Sequence, residues 1–167
     1  VPMNYLLILA ALLFLAFYAR RVIIAHRYPH YTNVPFPQVN ELCAIFFRNT
    51  LNGSYFVITL EQHEELAFQF FKYIEGTNVR FVVDFPVSPQ TKPYYRDSLK
   101  RVQLMHLQAS EHPLEPKDPR SEVEFVVNVD FGDDTNKLLQ FIKLMFFEVY
   151  QAKEDHTFDV HFSRSLA

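Results

Sequence analysis

Asp155, His156, Asp159 and His161 are the best metal-ligand candidates in this chain. Asp159 and His161 lie two apart, so on a strand they share a face and could chelate a divalent ion. His156 falls on the opposite face of such a strand, which weakens the set. His63-Glu64-Glu65 begins as a zinc-binding helix motif would, but no second histidine follows at the required spacing. Cys43 sits among Leu42, Ala44, Ile45 and Phe46, the setting of a buried thiol of low reactivity. Glycine occurs only at 53, 76 and 132, which excludes a glycine-rich phosphate loop. No serine nucleophile elbow is present. An acylphosphatase-like site would need an anion-cradling loop after the first strand of the domain, and Thr59-Leu60-Glu61 cannot supply one. The expectation is therefore a non-catalytic chain with no cofactor. The alternative is a metal- or small-ligand-binding sensor or enzyme with its site near Asp155 to His161.

The elements that would position such groups begin after an apolar leader. Tyr5 to Ala19 is uncharged, and Arg20, Arg21 and Arg27 flank it with Val22-Ile23-Ile24-Ala25 between them. A membrane span needs roughly 20 apolar residues. The segment reaches that length over 5–25 if the arginines snorkel to the headgroups. A cleaved signal peptide carries its charge before the apolar run and a small-x-small site after it; here the charge follows. Residues 1–27 are thus expected to be a single-pass, uncleaved anchor, with a signal peptide and a buried helix as rivals. The basic flank favours a cytoplasmic C-terminal domain, and the exported orientation is the alternative. A single cysteine rules out an intrachain disulfide.

Beyond residue 30 lie all 19 acidic residues and 13 of the 16 basic ones, so that part carries a net charge near −6. Nucleic-acid binding calls for clustered lysine and arginine instead. The 18 phenylalanines and nine tyrosines predict an aromatic core, with some of that surface available to a partner.

Residues 28–37, with Pro29, Pro35 and Pro37, read as a linker, and 38–167 as one α+β domain. Val39, Leu42, Cys43, Phe46 and Phe47 predict a helix ending at Asn52-Gly53, with a hairpin strand around the same Asn-Gly as the alternative. Tyr55 to Thr59 reads as a strand. Thr59 and Gln62 then form a capping box for a helix to Glu75, with Leu66, Ala67, Phe70, Phe71 and Ile74 on one face and Gly76 as its stop. Strands follow over 79–85 and 123–131, then a helix from Gly132-Asp133-Asp134 to about Ala152, and a last strand over 157–163. This order predicts a ferredoxin-like, split βαβ–βαβ antiparallel sheet. A Pro-rich insert over 86–121 holds six of the ten prolines. It should carry a short helix near Tyr94 to Arg101, a strand near Val102 to Gln108 and a surface loop over 112–119.

With both helices on one sheet face, the other face is open. Its outward residues include Tyr55, Val57, Arg80, Val82, Asp84, Glu124, Asn128, Asp130, Asp159 and His161. RNA-binding sheets of this topology need exposed aromatics and basic flanks, so protein contact is the expectation. The last helix leaves only a narrow polar stripe, which makes Phe146 and Phe147 candidates for docking another protein or a second copy, unless the 39–51 helix or the insert covers them. Together these features predict a membrane-anchored interaction module: an assembly, scaffold or inhibitory subunit, with toxin-neutralising immunity proteins as an analogy. Its partner-binding candidates are Glu124, Asn128, Asp130, Asp159, Phe146 and Phe147. An accessory subunit of a larger membrane complex is a further alternative.

Overall fold

Among the described residues three connections carry helices, and all three lay them on the same side of one sheet. The computed structural model describes residues 29–49, 54–113 and 122–164. In chain order these form β1 (His30–Pro35), α1 (Phe36–Asn49), β2 (Ser54–Leu60), β3 (His63–Glu75) and β4 (Asn78–Val87). Then come α2 (Lys92–Leu104), β5 (Gln108–Pro113), β6 (Phe125–Gly132), α3 (Thr135–Leu144) and β7 (Thr157–Arg164). The seven strands make one antiparallel sheet in the order β1-β7-β2-β3-β4-β6-β5. An α+β fold is therefore present. The expected anchor lies outside the described residues, and among those described no helix is long and apolar enough to cross a membrane.

The ferredoxin-like arrangement does not hold. Residues 63–75, expected as a helix, form the central strand β3, so 54–87 is a three-stranded meander. Both periodicities are written into this stretch. Leu66, Phe68 and Phe70 alternate at 2% exposure or less, while Ala67, Gln69 and Phe71 face the other way. Pairing on both sides decides in favour of the strand, because β2 and β4 each satisfy one row of its backbone groups. The supposed capping box is the two-residue turn Glu61-Gln62. Gly76, at φ +63°, belongs to a hairpin turn and not to a helix end.

Two boundaries also shift. The proposed linker contains β1, an edge strand, where Pro29 and Pro35 cost no central ladder bonds. The insert holds its helix, but the strand falls at 108–113 instead of 102–108. Val102 lies in α2 and is buried.

Between sheet and helices lies an aromatic core. Phe46 of α1 meets Phe56 at 4.4 Å between ring centroids, and Phe68 meets Phe146 at 5.1 Å. Phe36 reaches Phe158 at 5.6 Å, and Phe141 reaches Phe131 at 5.3 Å. Such tilted and edge contacts suit the ring quadrupole. Asp134 caps α3, its carboxylate accepting the Lys137 amide at 2.9 Å.

The last turn of that helix widens into a π-turn over Met145–Val149, where the Tyr150 amide donates to the Met145 carbonyl at 2.8 Å. The widening turns both Met145-Phe146 and Val149-Tyr150 into the core. This explains the narrow polar stripe. Phe36 of α1 covers Phe147 at 4.8 Å, and Tyr94 of α2 covers Tyr150 at 5.3 Å. Phe146 is fully buried and Phe147 half-buried, so the helix is apolar because α1 and α2 pack on it. Phe146, at 0% exposure, offers no docking surface.

Candidate interaction face

The face opposite the helices is uncovered among the described residues. Strand register lays it out in rows. One row runs Tyr55, Phe71, Val82, Asp130, Gln108 across β2, β3, β4, β6 and β5. The next runs His30, His161, Val57, Gln69, Asp84, Asn128, Ser110 from edge to edge.

Its centre is apolar. Tyr55 and Phe71 lie 5.7 Å apart, and Phe71 stacks on Tyr73 at 6.4 Å with 20° between planes. Val82 is only 2% exposed, yet it stands outside the core cluster. Its neighbours on this face bury it. Tyr73 remains 40% exposed, one of three large apolar side chains so exposed among the described residues. A helical period over 63–75 hides this aromatic row in the sequence. The alternation from Leu66 to Phe70 was the signal that could have revealed it.

Asp130 and Asp159 flank this centre, Glu124 stands just before β6 beside α2, and each of these carboxylates already has a cationic or imidazole neighbour. Asp130 pairs with Arg80 at 2.8 Å and also accepts the Gly132 amide. These contacts hold its carboxyl below the usual range, against the opposing effect of burial. Glu124 pairs with Lys92 of α2 at 2.8 Å. Asp159 accepts from His30 at 2.6 Å, and His30 lies 5.3 Å from His161 between ring centroids. Surface pairs of this kind contribute about 0–1 kcal/mol to stability. Their larger effect is to lower the net negative charge that the sequence suggests for this face.

Asn128 is the exception in kind. Its amide donates to Asp84 at 2.7 Å. Burial pushes the Asp84 carboxyl up, and the Asn128 hydrogen bond and His112 only partly oppose it. A raised folded pKa means that the folded state holds this proton more tightly than the unfolded chain. The stability Asp84 contributes is thus full in acid and declines as pH rises through its folded pKa. Asp84→Asn should therefore be more stable than the parent at neutral pH, with the difference closing in acid. Urea midpoints at the two pH values test this. A variant less stable at neutral pH would show that the carboxylate's hydrogen bond outweighs its desolvation.

The metal candidates are only partly brought together. Asp159 and His161 share the open face, joined by His30 from β1. His156 instead belongs to the 153–156 turn, where its ring nitrogen accepts the Lys153 amide at 3.3 Å. Asp155 is exposed in the same turn. Among the described residues, no group of three or more His, Cys, Asp or Glu side chains could hold a metal ion. His63 pairs weakly with Glu65 at 3.4 Å on an exposed strand end. Cys43 is fully buried in the core, where desolvation pushes its thiol far up.

Comparison with protein-family models, with curated proteins and with solved structures finds no match.

Proposed function

We propose that this chain is a membrane-anchored, non-catalytic interaction module whose open sheet face binds a protein partner. The observation that carries the reading is the aromatic set Tyr55, Phe71 and Tyr73 beside Val82, on a sheet face that no helix covers among the described residues. Aromatic anchors ringed by polar groups are the usual composition of an interface centre. Glu124, Asn128, Asp130 and Asp159 form the polar rim, and their existing ion pairs would be traded for partner contacts there. The apolar leader at 5–25 would hold the domain at a membrane, with Arg20, Arg21 and Arg27 at the headgroups and the domain on the cytoplasmic side.

The test is recovery of partners with tagged full-length protein from its own membranes in mild detergent. Tyr73→Asp and Phe71→Asp should cut recovery by about 30-fold, as expected for losing an interface anchor of about 2 kcal/mol. Charge reversal at Glu124, Asp130 and Asp159 should weaken it less. All variants should keep the parent's circular dichroism. Unchanged recovery across both sets would remove this face from consideration.

A further inference from the structure

The two edges of the sheet differ. At β1 the register slips between Tyr31 and Val34, Asn33 adopts φ +55°, and Pro35 ends the strand. These are the devices that keep an edge from pairing with another chain. β5 has little of this. It pairs with β6 in unbroken register over Gln108–Pro113, all six residues are exposed, and proline enters only at its last position. No strand lies on its outer side among the described residues. In an antiparallel strand every second residue then directs its N–H and C=O outward.

Beside this edge runs a groove of about 270 Å³, between β5 and α2, whose apolar lining is Leu99, Val102, Leu107, Ala109 and Val127; Gln103, Ser110 and Glu111 complete it, and the Glu111 carboxylate is already engaged by the Tyr95 hydroxyl of α2. Ala109 faces the helix side of the sheet, opposite Val129, and its small side chain leaves the groove open. The helix forming the other wall is basic. It carries Lys92, Arg96, Lys100 and Arg101 against one acid, Asp97. Lys92 and Arg101 are engaged by Glu124 and Glu148, and Lys100 lies 3.7 Å from Asp97. Arg96 is exposed and has no ion pair among the described residues.

We propose that β5 is a strand-addition site for an extended acidic segment of a partner protein, whose alternate apolar side chains enter the groove between β5 and α2. Backbone pairing along the edge gives affinity, the groove selects apolar residues at every second position, and α2 selects for negative charge. The site shares β5 with the rim of the open sheet face but not its aromatic centre at Tyr55, Phe71 and Tyr73, and does not depend on it.

The probe is a labelled peptide alternating leucine and glutamate over about eight residues, a typical strand length. Its binding to full-length protein in detergent micelles is followed by fluorescence anisotropy. Saturable binding is expected. N-methylation of every second amide, in the register that faces β5, should weaken it at least about tenfold through lost backbone bonds. Ala109→Phe, which fills the groove, should do the same, and Arg96→Glu with Lys100→Glu should also reduce it. Tyr73→Asp should leave it unchanged. No binding would overturn the proposal. So would binding that falls with charge reversal yet ignores N-methylation, since that is charge adsorption only. Self-association abolished by Ala109→Phe would also overturn it, because a second copy would then occupy the edge. Should Ala109→Phe fail to fold, the methylated peptides still decide.

Discussion

Phe68→Ala is expected to destabilise the domain by about 3–5 kcal/mol, the range for removing a fully buried phenylalanine. Phe68 is 0% exposed at the middle of the sheet. Its ring meets Phe146 at 5.1 Å, Tyr150 at 5.6 Å, Phe85 at 6.0 Å and Phe141 at 6.2 Å. It therefore joins β3 and β4 to α3 and to the π-turn. The sheet cannot relax to fill the space, because β2 and β4 hold β3 in register on both sides. Net domain stabilities are of the order of 5–15 kcal/mol, so this one change should bring the protein close to unfolding at moderate temperature. Phe68→Leu should cost clearly less. Denaturant midpoints by circular dichroism test both. A loss below about 1.5 kcal/mol for the alanine variant would show that the site collapses around the cavity.

The second large effect is expected at Lys72. It occupies an inward position of β3, only 6% exposed, between the sheet and the end of α1. Its amine donates to the Phe47 carbonyl at 2.7 Å and lies 5.8 Å from the centre of the Phe81 ring. A cation there meets the negative end of the α1 dipole and satisfies one of the helix's last free carbonyls. Lys72→Ala should destabilise by about 1–3 kcal/mol, from a part-buried carbonyl left unpaired together with lost packing of the stem. Lys72→Met keeps most of the stem and should cost less.

The pH dependence separates the two contributions. Desolvation lowers the Lys72 pKa in the folded state, so the protonated form is disfavoured there. This group's contribution to stability should rise as pH climbs from its lowered folded value toward the ordinary lysine range, and Lys72→Met should lack that rise. Equal losses for alanine and methionine would assign the effect to the hydrogen bond alone.

Lys72 also shows where reading by local pattern stopped. In a helix it falls on a polar stripe with Gln62, Glu65 and Gln69. In the strand it alternates with Phe70 and Ile74 and points at the end of α1. The helical reading also hides the aromatic row of the open face, since it puts Phe71 on the same apolar face as Leu66 and Phe70. By contrast, Val57, Arg80, Asp84, Asn128, Asp130 and His161 were placed on the open face from alternation alone. Their strands carry no competing helical period.

The sequence by itself determined the elements whose pattern is unopposed: the alternating strands β2, β4, β6 and β7, and α3 with its acidic start; for α1 it placed the helical face from Val39 to Phe47 but not the start at Phe36. It also determined that Cys43 is buried. Tertiary structure alone decided whether 63–75 is helix or strand, because its apolar residues satisfy both periods and only pairing with β2 and β4 separates them. It alone decided the cover over α3, since Phe36 and Tyr94 come from distant segments. It also decided that the acidic residues of the open face stand beside Arg80, Lys92 and His30, since these partners are brought together by strand order and not by spacing along the chain.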